Sequence, residues 1–201
     1  MSQSTHVVDP ASVGLNVDFH SIRLDEEEFL ALCRDNPELR IEMTSEGELI
    51  IMPPTGSETG RRNSTLTQRL ANWSEADGTG ECFDSSTGFI LSNGARRSPD
   101  ASWIRKERWE ALPKEERQKF ARLCPDFVVE LRSPVDRLSV LQEKMAEYID
   151  NGARLGWLLD PVQQAVFVYH PGREPERIDN PSSISADPVL PGFVLNLNDI
   201  W

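Results

Sequence analysis

Residues 124–133 read CPDFVVELRS. Along a strand, residues two apart share a face. Phe127, Val129 and Leu131 therefore fall on one face, and Asp126, Val128, Glu130 and Arg132 on the other. A strand patterned this way belongs in a sheet with one side against a core. Its second side carries a carboxylate and, two residues on, a guanidinium into the same space. Two readings are open. One is an edge strand with a solvated ion pair, which contributes little to stability. The other is half of a metal-dependent site, because a carboxylate between Val129 and Leu131 in a central strand is costly unless paired or metal-bound.

The surrounding sequence supplies the rest of a layered domain. LDEEEFLALCRDNPELRIE contains a short helix, with Asp25 as a cap and Pro37 just past its end. GELIIMPPTG is a strand stopped by Pro53-Pro54. Leu66, Leu70 and Trp73 repeat at the spacing of one helix face, in a helix capped by Ser57 or Thr59 and ended by Gly78. Two strands follow, GECFDSSTGFILSNG and ARRSPDASWIRKERW, joined by an Asn93-Gly94 turn. LPKEERQKFARL is expected to form a polar helical excursion. The clearest helix is DRLSVLQEKMAEYIDNG, capped by Asp136 or Ser139 and stopped by Gly152. Its apolar face is Leu138, Leu141, Met145 and Tyr148. LGWLLDP and QAVFVYHP are further strands, and VLPGFVLNLNDIW is apolar enough to pack back onto the domain. This order predicts an α/β (α+β) fold, a mixed β-sheet flanked by helices.

The length of 201 residues suits a single domain over 21–201 behind a flexible segment over 1–20. No stretch approaches the length of a membrane span, and MSQSTHVVDPASVG lacks the basic start and apolar block of a signal peptide. Three well-separated cysteines, Cys33, Cys82 and Cys124, argue against a disulfide framework or a structural zinc site, so a cytoplasmic protein is expected. The net charge of -12 argues against coating nucleic acid by charge alone. Residues 96–122 are the exception, with nine Lys or Arg against five Asp or Glu. That region could meet a polyanion or be a solvated face. Gly56 and Gly60 frame GSETG, but no Gly-Lys-Ser/Thr follows, so there is no phosphate-binding loop.

Three carboxylates stand out: Asp100 in SPDASW, Glu130 in the strand above, and Glu58 in the first turn of the long helix. Carboxylates on adjacent strands can point into one cleft. Held close, they raise each other's pKa unless a cation sits between them. One or two carboxylates with water and a phosphate is how magnesium is usually held. Arg132 and Lys144 are the candidate positive groups beside them. Each residue also has a structural reading alone: Asp100 in a Pro-Asp turn, Glu58 as a first-turn helix carboxylate, Lys144 as a solvated lysine.

Pro99-Asp100 followed by Glu130-Leu131-Arg132 resembles the Pro-Asp…Asp/Glu-x-Lys pattern of the restriction-endonuclease-like nuclease superfamily. MPPTGSETGRRNSTL, FDSSTGF, RSPDASW, CPDFVVELRSP, KMAEYIDNGARLGWLLDP and LPGFVLNLNDIW together resemble the bacterial Uma-type family of restriction endonucleases, from about Leu24 to Trp201. The resemblance implies a restriction-endonuclease-like core. It implies magnesium or manganese held by Asp100 and Glu130, with Glu58 as the helix-borne carboxylate. Arginine stands at 132 where the short motif has lysine. In families of this fold the lysine can lie on the neighbouring helix, where Lys144 matches. Arginine is a poor proton acceptor but a good clamp for phosphate or carboxylate. The lysine role is therefore assigned to Lys144 and a clamp role to Arg132, with Gln142 a weaker candidate contact.

The expected function is metal-dependent hydrolysis of phosphodiester bonds in nucleic acid, DNA foremost. A homodimer is expected because one site cuts one strand. The alternative is a catalytically inactive nuclease-fold module that binds nucleic acid or protein.

Overall fold

In the computed structural model, residues 15–17 and 24–201 are described. Of the expected flexible segment 1–20, only Leu15–Val17 lies within the described residues, as strand β1. Helix α1 spans Glu26–Asp35. The Glu28 N–H donates to Asp25 Oδ1 at 2.9 Å, and the Asp25 N–H donates to Glu28 Oε2 at 2.8 Å. This reciprocal cap satisfies two donors that the first turn leaves free. The segment beyond Pro37 forms β2 (Arg40–Met43), a strand the sequence pattern did not reveal. It pairs antiparallel with β3 (Leu49–Met52), which ends at Pro53-Pro54 as expected. Phe29 of α1 packs with Ile41, Met43 and Leu49 on this sheet.

Helix α2 spans Ser57–Asp77. Its cap is Gly56, and the expected caps Ser57 and Thr59 lie inside the first turn. Gly78 closes it at φ 69°, a conformation that glycine adopts without steric cost.

The Asn93-Gly94 turn is present, but its arms divide between two sheets. β5 (Phe89–Ile90) and β6 (Arg96–Arg97) pair across it in the sheet ordered β1-β3-β2-β6-β5. The outer arms, β4 (Gly80–Asp84) and β7 (Ala101–Arg105), pair with each other in a second sheet. Pro99 stands between β6 and β7, where its missing N–H favours a break in the ladder. A short helix, α3 (Lys106–Glu110), follows β7. The helix expected over LPKEERQKFARL is instead a run of turns. That segment has no apolar stripe to bury, and it is tied to the sheet by the Ile90 N–H donating to the Ala121 carbonyl at 2.9 Å.

β8 (Phe127–Leu131) is central and buried along its whole length. It leads through α4 (Leu138–Asp150) to β9 (Leu155–Asp160), and β8 and β9 are parallel. A helical crossover is how parallel neighbours are joined. β10 (Ala165–Tyr169) and β11 (Glu176–Asp179) complete the sheet, ordered β11-β10-β9-β8-β7-β4. The fold is thus the expected mixed sheet with helices on its faces.

Phe127, Val129 and Leu131 pack with Leu66 and Leu70 of α2 on one face. Val128 packs with Met145 and Tyr148 of α4 on the other. Full burial of side chains such as Leu66 and Leu70 stabilises by about 1.5–3 kcal/mol each. A final hairpin, β12 (Ser183–Ser185) and β13 (Val194–Asn196), brings Phe193, Leu195, Leu197 and Ile200 onto the α2 side, as expected for the closing segment. The cap of α4 is Arg137, not Asp136 or Ser139. The Asp136 carboxylate instead accepts the Ser133 N–H at 2.8 Å, which shapes the turn between β8 and α4.

Candidate active site

Pairing of β7 with β8 places Ala101 opposite Val129. Asp100, one residue before β7, therefore reaches the end of β8 where Glu130 and Leu131 lie. The Leu131 N–H donates to Asp100 Oδ2 at 2.9 Å. Asn63 Nδ2 of α2 donates to Asp100 Oδ1 at 3.3 Å, and Arg40 Nη2 of β2 stands 3.8 Å from the same oxygen. Glu130 points to the α4 side of the sheet. There Lys144 Nζ lies 2.8 Å from Glu130 Oε1, and the Tyr148 hydroxyl donates to that oxygen at 3.1 Å. Lys144 and Tyr148 are four residues apart, hence neighbours on one helix face.

Arg40, Glu58, Asn63, Asp100, Glu130 and Lys144 line one cleft of about 490 Å³. The four principal candidates from the sequence thus share one cavity. Three of them form its buried floor. Glu58 does not join them: it is 57% exposed on the rim and pairs with Arg61 at 2.8 Å and Arg62 at 3.4 Å. Arg132 turns away from the cleft. Its Nη1 lies 2.8 Å from Asp160 Oδ2, and its Nε donates to the Asp136 carbonyl at 3.1 Å. Gln142 is half-buried on α4 and does not line the cleft.

Glu42 on β2 is the member that sequence reasoning missed. It is 2% exposed, and its Oε1 lies 2.9 Å from Lys144 Nζ. The same oxygen accepts the Ser98 N–H at 3.0 Å, while Oε2 pairs with Arg97 Nη1 at 3.3 Å. Arg97 Nε in turn reaches Glu147 Oε2 of α4 at 2.5 Å. The basic region 96–122 is accordingly spent in part within the fold. Arg97 is buried between two carboxylates, Arg108 pairs with Asp126 at 2.9 Å, and Arg122 pairs with Glu26.

Burial is the largest influence on every ionisable group on the floor. It pushes the Glu130 carboxyl up to about 7; Lys144 opposes this, and Asp100 and Glu42 add to it. Burial also raises Asp100, against the Leu131 N–H and Arg40. Burial pushes Glu42 upward too, but Lys144, Arg97 and the Ser98 N–H outweigh it and hold this carboxyl below its ordinary value. Burial would depress the Lys144 ammonium, but Glu130 and Glu42 prevail and raise it.

Among the described residues, no three His, Cys, Asp or Glu side chains are gathered as a metal-holding group. The fit to a cation rests on Asp100 and Glu130 alone. Both are buried acids pushed above their ordinary values, chiefly by burial, and a divalent cation beside them would favour their charged forms. An all-oxygen pair suits magnesium or manganese, which keep water and phosphate as their other ligands.

A family model described as "Uma2: Putative restriction endonuclease" matches residues 26–198. The chain belongs to the Uma2 family. Among solved structures, this Uma2 protein is similar to one described as a putative nuclease belonging to DUF820 from Anabaena variabilis ATCC 29413. The two share 22% identity at a TM-score of 0.67, over 80% of this chain and 88% of that one. That likeness shows the restriction-endonuclease-like fold. A cryoEM structure of a DrdV-DNA complex aligns at 18% identity and a TM-score of 0.38, over 60% of this chain and 10% of that one. No curated protein matches.

Proposed function

We propose that this Uma2 protein is a metal-dependent endonuclease that hydrolyses phosphodiester bonds in nucleic acid, DNA foremost. The observation that carries this reading is the meeting of Lys144 with Glu130 beside Asp100 at the floor of one cleft. Asp100 and Glu130 would hold the cation, and the Leu131 N–H keeps the Asp100 carboxylate turned toward the end of β8. Magnesium or manganese at this place supplies Lewis-acid polarisation of a phosphate oxygen and a bound water of lowered pKa. Lys144 orients the attacking water and offsets negative charge that builds on the phosphate. Arg40 brings a further positive charge to the cleft wall. Glu58 assists once it leaves Arg61 and Arg62. Arg132 acts as a carboxylate clamp on Asp160, fixing the chain as it leaves β8.

A homodimer would place two such clefts on the two strands of a duplex. The three cysteines are unpaired thiols, in keeping with a reducing cytoplasm. No described helix is long and apolar enough to cross a membrane.

The test is cleavage of plasmid DNA by purified protein with magnesium or manganese. Glu130→Ala and Lys144→Ala are each expected to lower the rate by about 100-fold or more. Metal-dependent cleavage that survives Glu130→Ala would sink the proposal.

One observation favours the second reading, a non-catalytic module of the same fold. The Lys144 ammonium is already shared by two carboxylates, and Glu58 is engaged by two arginines. On that reading metal-stimulated cleavage is absent, and partner binding survives Asp100→Asn with Glu130→Gln.

A further inference from the structure

Lys144 reaches the cleft on a long flexible stem, and it is held there from two sheets at once. Glu130 comes from β8 in the six-stranded sheet, Glu42 from β2 in the five-stranded one. The two contacts are nearly equal, 2.8 and 2.9 Å. Glu130 cannot serve both claimants equally well. A divalent cation drawn to Asp100 and Glu130 takes up the carboxylate's charge and repels the ammonium beside it. With Glu130 as its only partner, Lys144 would lose its anchor when the site fills.

Glu42 is built to prevent that. Its own carboxylate is fixed by the Ser98 N–H and by Arg97. Arg97 also grips Glu147, three residues after Lys144 on α4. The helix that carries the ammonium and the strand that receives it are thereby stapled together. At 2% exposure the Glu42 charge is shielded from water, so it acts on Lys144 undiluted. Glu42 does not line the cleft that holds Asp100 and Glu130, and it does not join them as a third metal-holding carboxylate.

We infer that Glu42 is a positioning residue: it retains the Lys144 ammonium in the cleft while Glu130 is engaged by a cation. Its purpose rests on the metal-nuclease reading; its geometry stands without it.

The experiment reads the rate at which acetic anhydride acetylates Lys144, by mass spectrometry of the intact folded protein after digestion. Glu130→Gln imitates a Glu130 whose charge is taken. In that variant Lys144 should remain as protected as in the wild type, within about twofold, whereas adding Glu42→Gln should raise its reactivity about tenfold or more, the size of a coupling within one ion network. Glu42→Gln alone should leave Lys144 protected until manganese is added, and then expose it.

Gln at 42 still accepts the Ser98 N–H. Should the Gln variants fold poorly, Glu42→Asp with Glu130→Gln takes their place, since it keeps the charge but draws it back by one methylene. Equal reactivity in Glu130→Gln and in the double variant would overturn the proposal. So would manganese that binds Glu42→Gln yet leaves Lys144 protected. If calorimetry shows no manganese binding to the wild type even with a short DNA duplex present, the metal reading fails, and the comparison of Glu130→Gln with the double variant still decides the role of Glu42.

Discussion

The Leu131 N–H donates to Asp100 Oδ2 at 2.9 Å, so a backbone group adjacent to Glu130 holds the other carboxylate of the pair. The approach of two buried acids is therefore fixed by strand pairing rather than by side-chain preference. Asp100→Asn keeps an oxygen acceptor for that N–H and removes one poorly compensated charge. Its unfolding free energy in urea should stay within about 1 kcal/mol of wild type, while manganese affinity is lost. A large loss of stability would show that the charge itself holds the strands.

Glu130 gives a signed pH dependence. Burial first, then Asp100 and Glu42, push its carboxyl up to about 7. The unfolded chain titrates the same group near the ordinary glutamate value of about 4.3. Between those values the native state binds more protons than the unfolded state, so this group's contribution to stability falls as pH rises. Glu42 works in the opposite sense, since its folded carboxyl lies below the ordinary value and its contribution is lost in acid. Glu130→Gln should therefore flatten any decline in urea midpoint between pH 5 and pH 7. An unchanged slope would contradict the assignment.

Lys144→Ala leaves Glu42 and Glu130 buried without their shared cation. Stranding buried charge in this way costs about 3–5 kcal/mol. Denaturant unfolding at pH 7 should show a loss of that order, partly recovered on adding Glu130→Gln. Independent, additive losses would argue against a shared ammonium.

Arg132 pairs with fully buried Asp160 outside the cleft. Arg132→Ala should destabilise by roughly 3 kcal/mol, the cost of breaking a buried pair, and leave manganese affinity unchanged. If it instead weakened DNA binding with the fold intact, Arg132 would be the phosphate clamp.

Much of the floor of this site was legible in the sequence. A carboxylate inside FVVEL must face something, and Lys144 and Met145 straddle the edge of a clear apolar helix face. Glu42 was not legible. It lies in a four-residue strand, where a single acid looks solvated, and its partner Lys144 is 102 residues away. Arg97 was hidden for the same reason: ARRSPD has the composition of a basic surface, and only the approach of β2 and α4 buries it. The split of the Asn93-Gly94 hairpin escaped because local alternation does not say which sheet a strand joins. Glu58 shows the converse. Its helix position was correctly inferred, but Arg61 and Arg62, one turn on, claim its carboxylate.

The most direct measurement is manganese binding by calorimetry, for the wild type and for Asp100→Asn with Glu130→Gln, each with and without a short DNA duplex. Binding by the wild type that disappears in the double variant is the expected result. Equal binding by both proteins, or none by the wild type even with DNA present, would contradict a cation site on Asp100 and Glu130.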